Sequence, residues 1–231
     1  MLPSGVLVTR PEPGASRTAR QLCAAGLVPI VAPFLLTTML RVRLPMEQPQ
    51  AIVAASGNAA EALPPDLRHL PLLAVGDATA QRAREAGFAD VRSANGDAAD
   101  LARLASARLD PAAGPVMLAT GRGQGAALAR DLRRQGFRVH RRAVYSADPV
   151  AEFPQAAADA LANRSVRAAL FFSAETARAF VRLLPRTSRV TLAGVDALAI
   201  GSMAGDVLRP LPWRAVRVAL RPTQDGVLAL I

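Results

Sequence analysis

The sequence has no lysine, a single cysteine and two histidines among its 231 residues. Without lysine the chain cannot form a Schiff base, attach pyridoxal phosphate or complete a phosphate-binding P-loop. Cys23 cannot form an internal disulfide, and its place in an apolar helical stripe predicts a buried thiol rather than a nucleophile. His69 and His140 stand apart from any carboxylate cluster, so no metal site is predicted.

Long hydrophobic runs are also missing. The longest apolar stretch, residues 27–36, contains two prolines and is shorter than the roughly 20 residues that a membrane span needs. The amino terminus lacks the ordered basic start, apolar core and small-residue cleavage site of an exported protein. Together with the single cysteine, these features predict a cytoplasmic protein with no membrane partner.

The net charge of +10 favours an acidic partner, either nucleic acid or a small molecule rich in carboxylates or phosphates. All 28 basic residues are arginine, and they are scattered over predicted helix surfaces rather than gathered into one stripe. One tryptophan and one tyrosine offer little for stacking on bases. The pattern therefore predicts no nucleic-acid partner and favours an anionic small molecule.

Short apolar runs alternate with amphipathic stretches along the chain, which is typical of βα units around a parallel sheet. A weak internal repeat runs through this pattern. The matched pairs are residues 5–30 with 115–140, 52–63 with 170–181, and 72–83 with 197–208. Three units in the same order predict two copies of one α/β domain.

A glycine-rich motif, Gly121–Ala126, satisfies the G-x-G-x-x-G/A dinucleotide pattern after a predicted strand. With Arg141 and Arg142 in the next strand, it would suit an NADP site. The equivalent loop of the first copy, residues 9–14, lacks this glycine spacing. Because backbone N–H groups at a helix start attract carboxylates as well as phosphates, a carboxylate ligand remains the favoured interpretation.

Small polar residues stand at the predicted strand-to-helix junctions, at residues 56–58, 76–79, 173–176 and 201–202. Singly they are ordinary helix N-caps. Because the carboxyl ends of parallel strands meet at one edge, two facing copies predict a cleft of N–H groups and hydroxyls suited to several carboxylates. Tyr145 is the only phenol available as an acid, and a half-buried structural aromatic is the alternative role for it.

Several short sequence elements follow one another along the chain in a characteristic order and spacing. They are Val6–Arg10 followed by Pro11, Ala55–Asn58, Val75-Gly76-x-x-Thr79-Ala80, the Gly121 loop with Leu128, Leu132 and Gly136, Tyr145, Phe172-Ser173 and Ile200-Gly201. In these elements the chain resembles the uroporphyrinogen-III synthase family over nearly its whole length. It departs from the family at Ala204, where threonine is expected, and at Ala55, where threonine is common before the serine.

This resemblance implies an α/β fold of two flavodoxin-like domains with parallel sheets, joined by a two-stranded connection. Residues 1–34 and 148–231 would form the first domain and residues 39–143 the second. Residues 35–38 and 144–147 would be the linkers between them.

The resemblance also implies a lyase of porphyrin and heme biosynthesis. It would cyclise hydroxymethylbilane, an octacarboxylate, to uroporphyrinogen III with inversion of the terminal pyrrole ring and loss of water. No metal or organic cofactor is expected. The protein is predicted to be a monomer in transient contact with hydroxymethylbilane synthase, the preceding enzyme.

Tyr145 is the predicted catalytic residue. The predicted substrate-binding residues are Arg10, Ser56, Gly57, Asn58, Gly76, Thr79, Gly121, Arg122, Ser173, Ala174, Glu175, Thr176, Gly201 and Ser202. The alternative function is a non-catalytic two-lobed module that binds an anionic small molecule, and an NADP-binding oxidoreductase is less favoured.

Overall fold

A computed structural model of the chain describes residues 4–42 and 47–231. The chain divides into two compact units: unit one runs up to Thr37 and resumes at Asp148, and unit two is Thr38–Ala147. The domain boundaries predicted from the family resemblance stay a prediction. Residues 1–3 and 43–46 of those predicted domains lie outside the described residues.

Unit one contains a parallel sheet with helices between its strands. Its elements are β1 (Gly5–Val8), α1 (Gly14–Ala24), β2 (Val28–Val31), α6 (Gln155–Ala162), β9 (Val166–Phe171), α7 (Ala174–Leu183), β10 (Asp196–Ala199), α8 (Ser202–Leu208), β11 (Ala215–Val218) and α9 (Gln224–Leu228). The strands lie in the order β2-β1-β9-β10-β11, and each neighbouring pair is parallel.

Unit two contains the second sheet. Its elements are β4 (Ala51–Ala54), α2 (Gly57–Glu61), β5 (Leu72–Ala74), α3 (Asp77–Glu85), β6 (Val91–Ser93), α4 (Ala98–Arg108), β7 (Val116–Gly121) and α5 (Ala126–Arg134). Two further strands of this sheet, β3 (Leu35–Met39) and β8 (Val139–Pro149), carry the chain across the boundary with unit one. The strand order is β3-β8-β7-β4-β5-β6.

The two sheets share one topology, which confirms the predicted α/β fold class. In unit one the order β2-β1-β9-β10-β11 is the 2-1-3-4-5 order of flavodoxin-like sheets. In unit two β8-β7-β4-β5-β6 is the same order, with β7 counted as the first strand and β8 as the second, and β3 is an additional strand beside β8. The repeat copies nevertheless exchange their first two strands. β1 and β2 of the first copy lie in the sheet of the second, and β7 and β8 of the second copy lie in the sheet of the first.

The central strands are continuous apolar runs because helices cover both faces of each sheet. β1, β4, β7 and β10 are buried at every residue. Such strands show no polar and apolar alternation, so their length and flanking turn residues are the signals that predict them.

An aromatic cluster fills part of the core of unit one. The fully buried Phe180 ring has its centroid 5.0 Å from Phe34, 5.6 Å from Phe153, 5.3 Å from Phe171 and 5.4 Å from Trp213. These spacings lie in the range at which tilted and edge-to-face aromatic pairs attract one another. Phe180 is therefore the ring that joins the cluster together.

The prediction that Cys23 is buried is wrong. Helix α1 buries Gly14, Ala15, Thr18 and Leu22, whereas Cys23 is exposed. Successive helical residues point about 100° apart, so the residue after Leu22 turns away from the sheet. The apolar stripe of this helix is narrower than its composition suggests.

An ion pair between a buried carboxylate and half-exposed arginines lies at the start of β10. The Asp196 carboxylate accepts hydrogen bonds of 2.7 Å from Arg214 Nε and from Arg214 Nη2, and Arg217 Nη2 lies 3.3 Å away. The hydrogen bonds from Arg214 lower the pKa of Asp196 below its ordinary value of 3.8, although burial opposes this effect.

We expect Asp196→Asn to lower the free energy of unfolding by about 1–2 kcal/mol at pH 7. This is less than the cost of breaking a fully buried pair, because Arg214 is half exposed. A lowered pKa stabilises the fold above 3.8, and this contribution disappears as the pH falls through the folded-state value. Denaturant unfolding at pH 7 and pH 3 should show the difference shrinking in acid. An equal difference at both pH values would contradict the expectation. Asp206→Asn, which removes an exposed pair with Arg209, is the control and should change little.

Candidate active site

The topology of unit two marks a ligand site. In a flavodoxin-like sheet the strand order reverses between the first and third strands, and ligands bind at the carboxyl edge of that point. In unit two the reversal lies between β7 and β4. A cavity of about 240 Å³ opens there, and its lining includes Ser56, Thr120, Gly121, Gln124 and Gly125.

Tyr145 lies beside this cavity. The register of β8 on β7 places Tyr145 opposite Gly121, where β7 ends. The residue is only 5% exposed. Its hydroxyl accepts a hydrogen bond of 3.2 Å from Ser56 Oγ and donates one of 3.2 Å to Gln124 Oε1. Three predicted site residues, Tyr145, Ser56 and Gly121, are thus brought together.

The glycine-rich loop fits closely around the tyrosine ring. A Cβ atom at Gly121 would lie 2.8 Å from Tyr145 Cζ and 2.8 Å from Gln124 Oε1, so a side chain cannot be accommodated there without displacement. Gly125 has a φ of +79°, which favours glycine at the start of α5. The predicted site residue Arg122 donates its backbone N–H to Tyr145 O at 2.8 Å and leaves its side chain exposed.

The junction after β4 is organised by a second set of contacts. Ser56 caps α2 by accepting the Ala59 N–H at 3.2 Å. Asn58 Oδ1 accepts a 2.7 Å hydrogen bond from Arg82, which also pairs with Glu61. A Cβ atom at Gly57 would lie 2.4 Å from Arg82 Cδ, so the glycine permits this close approach. The Asn58 side chain is therefore engaged by Arg82 within the fold.

Gly76 and Thr79 occupy the next junction along the sheet. Gly76 precedes α3 in an extended conformation, and its carbonyl accepts the Ala80 N–H at 2.9 Å. Thr79 lies on the first turn of α3 and is buried. Because β5 pairs with β4, this junction follows the strand next to the one that ends before Ser56.

The corresponding reversal in unit one lies between β1 and β9. Thr9 Oγ1 donates to Leu170 O across these strands at 2.5 Å. The guanidinium carbon of Arg10 lies 4.4 Å from the centroid of the Phe172 ring, and Arg10 Nη1 donates to Gln224 Oε1 at 2.8 Å. Arg10 is therefore held at the carboxyl edge of its own unit by stacking and a hydrogen bond.

The other predicted residues of unit one lie at the starts of α7 and α8. Ser173 caps α7 by accepting the Thr176 N–H at 3.1 Å, and the two hydroxyls lie 2.9 Å apart. Ala174 and Thr176 are buried, as is Ala204 on α8. Gly201 precedes α8 and accepts the N–H groups of Ala204 and Gly205, and Ser202 is exposed.

Glu175 is the predicted site residue least suited to an anionic ligand. Its carboxylate is exposed and lies 3.6 Å from Arg178. A carboxylate in the first turn stabilises its own helix. It would repel a substrate carboxylate, so a contact at this position would have to use the backbone.

Three further polar residues belong to these arrangements and are missed by sequence reasoning: Gln124, Gln224 and Arg82. Gln124 stands between two glycines directly after a strand, and that position is the one sequence signal that points to it. Gln224 and Arg82 carry no such signal, because their partners Arg10 and Glu61 are 214 and 21 residues away.

Other features of the described residues do not indicate a functional site away from the carboxyl edges of the sheets. A cavity of about 420 Å³ in unit one is lined by Val166 and Val195, at the amino ends of β9 and β10. Within residues 4–42 and 47–231, three or more His, Cys, Asp or Glu side chains nowhere come together as metal ligands would. Among the helices of those same residues, none has the length and apolar character of a membrane span.

Comparison with protein families decides the assignment. The HEM4 model, described as uroporphyrinogen-III synthase HemD, matches residues 16–229. The chain belongs to the uroporphyrinogen-III synthase family. It is accordingly an enzyme of tetrapyrrole biosynthesis, a cyclising hydro-lyase, as its resemblance predicts.

Solved structures show the same fold. A uroporphyrinogen-III synthetase from Helicobacter pylori is 15% identical, with a TM-score of 0.66 over 100% of this chain and 98% of that chain. A mutant uroporphyrinogen III synthase from Thermus thermophilus is 19% identical, with a TM-score of 0.53 over 98% of this chain and 96% of that chain. A search of curated proteins found no significant match.

Membership of the uroporphyrinogen-III synthase family supports the synthase function over the two alternatives considered from the sequence, a non-catalytic binding module and an NADP-binding oxidoreductase. The glycine-rich loop then belongs to a synthase fold, and its match to the dinucleotide pattern follows from the strand-turn-helix geometry that both kinds of site use.

Proposed function

We propose that this synthase converts hydroxymethylbilane to uroporphyrinogen III, with Tyr145 as the group that assists loss of the terminal hydroxyl. The observation that carries the proposal is the Tyr145 hydroxyl, held between Ser56 Oγ and Gln124 Oε1 at the cavity edge. It is the only phenol of the chain. It stands where the strand order reverses, which is where a flavodoxin-like sheet binds its ligand.

The proposed reaction begins with departure of the terminal hydroxyl of hydroxymethylbilane. The adjacent pyrrole nitrogen supplies electrons, and proton donation lets the oxygen leave as water. The resulting carbocation is attacked by the substituted carbon of the terminal pyrrole, which gives a spiro intermediate. That ring then detaches and rejoins in inverted orientation, and loss of a proton completes the macrocycle.

A phenol is suited to this donation. Its hydroxyl can act as a general acid by donating its proton to an oxygen as that oxygen departs. Because the pyrroles provide most of the driving force, the protein has mainly to hold the substrate folded and to donate a proton. We propose that turnover requires neither a metal nor an organic cofactor.

We propose that the carboxyl edges of the sheets bind carboxylates of the substrate. Backbone N–H groups at the starts of α5 and α7, the hydroxyls of Ser56 and Ser173 and the guanidinium groups of Arg10 and Arg122 have the chemistry required. The positive net charge of +10 would also attract an octacarboxylate from solution.

We further propose a cytoplasmic monomer that receives its substrate through transient contact with hydroxymethylbilane synthase. The single cysteine suits a reducing compartment. Analytical ultracentrifugation of the protein alone would test the monomer, and a mixture of the two enzymes would test the contact.

A coupled assay tests the reaction. Freshly made hydroxymethylbilane should give mainly the type III isomer of uroporphyrinogen, separated from type I by chromatography. Addition of a chelator should leave the rate unchanged. The enzyme-free reaction supplies the spontaneous type I baseline. If a high concentration of the protein yields only that baseline while still binding the substrate, the non-catalytic binding module replaces this proposal.

A further inference from the structure

The side chain of Gln124 is the nearest polar neighbour of the proposed proton donor on the loop that follows β7. Its Oε1 accepts the Tyr145 hydroxyl proton at 3.2 Å. Gln124 is itself exposed, whereas Tyr145 is buried. The amide therefore stands between the phenol and the open side of the cavity.

The backbone of Gln124 is held by two contacts. Its N–H donates to Gly121 O at 3.0 Å, and its carbonyl accepts from Arg141 Nη1 at 3.3 Å. The missing Cβ of Gly121 leaves room for the amide against the tyrosine ring. The position of the Gln124 side chain thus follows from the shape of the loop.

The hydrogen bonds at this site run in one direction. The Ala59 N–H donates to Ser56 Oγ, Ser56 Oγ donates to Tyr145, and Tyr145 donates to Gln124. A phenolic hydroxyl is both donor and acceptor, and its hydrogen rotates toward whichever acceptor is available. Without Gln124, the Tyr145 proton would turn toward Ser56 Oγ, which is less exposed than Gln124 and already caps α2.

We propose that Gln124 is a positioning residue that directs the Tyr145 proton toward the open side of the cavity. This inference rests on the proposed function of Tyr145. The departing oxygen of the substrate would take the place of Gln124 Oε1 as the acceptor, because an exposed amide can move aside while the buried ring stays in place. Gln124 would then affect the rate of the chemical step more than substrate affinity.

Gln124→Leu removes the acceptor and nearly preserves side-chain size. We expect turnover to fall about tenfold with KM unchanged, because the Tyr145 proton would then be held by Ser56 Oγ and that hydrogen bond would have to break before donation. Gln124→Glu keeps an acceptor in the same place, so turnover should stay within about threefold of wild type. Its KM should rise, because the added carboxylate repels an anionic substrate.

A spectroscopic measurement checks the contact without reference to activity. Because Tyr145 is the only tyrosine, tyrosinate absorbance during an alkaline titration reports this residue alone. In Gln124→Glu the tyrosinate should form at higher pH than in the wild type, since a carboxylate 3.2 Å away disfavours a second negative charge. Gln135→Glu makes the same charge change at the far end of α5 and should leave the titration unchanged.

A double-mutant cycle decides whether Gln124 acts through Tyr145. In a Tyr145→Phe background, Gln124→Leu should cause no further loss of turnover. A further tenfold loss there, or wild-type turnover in Gln124→Leu alone, would overturn the positioning role. Wild-type turnover in Tyr145→Phe alone would overturn the proposed function of Tyr145 and this inference with it. Thermal unfolding of each variant identifies a loss that comes from misfolding.

Discussion

Tyr145→Phe should lower turnover by about 10²-fold, toward the low end of the range for general acids, without abolishing it. The variant removes the only phenolic proton at the cavity and keeps the ring, which packs against Gly121. The pyrroles of the substrate still push electrons toward the departing oxygen, so a slower reaction through water remains. Single-turnover measurements with excess enzyme would report the chemical step directly.

The stability of the same variant provides the control. Phenylalanine retains the apolar contacts of Tyr145 and loses two hydrogen bonds of 3.2 Å at the cavity edge. We therefore expect a change of only about 1 kcal/mol in the free energy of unfolding and nearly unchanged product binding. Turnover at the wild-type rate, or a loss of activity that simply follows unfolding, would return Tyr145 to a structural role.

Phe180→Ala should lower the free energy of unfolding by about 3–5 kcal/mol, the cost typical of deleting a buried aromatic ring. The side chain is fully buried and contacts four other aromatic rings of unit one. Its neighbour Trp213 is the only tryptophan, so the fluorescence change on adding denaturant reports the unfolding of this unit.

A substitution of exposed apolar surface in the same unit is the control. Val190 is 72% exposed, and Val190→Ala should shift the unfolding midpoint by no more than the equivalent of about 0.5 kcal/mol. If Phe180→Ala and Val190→Ala lowered the free energy of unfolding by the same amount, the aromatic cluster would not be the main stabilising feature of unit one.

The sequence predicts where strands and helices lie along the chain better than it predicts which strands pair in one sheet. Apolar runs such as Leu72–Ala74 are recognisable because both faces of the strand are buried, and positive-φ glycines such as Gly136 mark helix ends. The repeat predicts two copies of one domain. It contains no information about which copy supplies β1 or β7 to which sheet, because equivalent strands have equivalent patterns. The family resemblance, and not the repeat, is what implies a first domain built from both ends of the sequence.

The site could be predicted only in part, for a related reason. Ser56 and Gly121 stand at strand ends, and parallel topology alone brings strand ends to one edge. The hydrogen bond from Tyr145 to Gln124 depends on the path of the four-residue loop 122–125 and on the register of β8, which no residue type specifies. Cys23 shows the same limit, since one helical step separates a buried position from an exposed one.

The exchange of strands between the repeat copies has a consequence for synthesis of the chain on the ribosome. Unit two is one continuous stretch, whereas β1 and β2 must await β9, β10 and β11 before their sheet exists. At translation rates of about 5–20 residues per second, the roughly 180 residues between β2 and β11 take about 10–40 s. The buried strand Gly5–Val8 is without its sheet neighbour β9 for most of that interval. The strand β1 therefore leaves the ribosome before unit two is made and completes its sheet only after unit two.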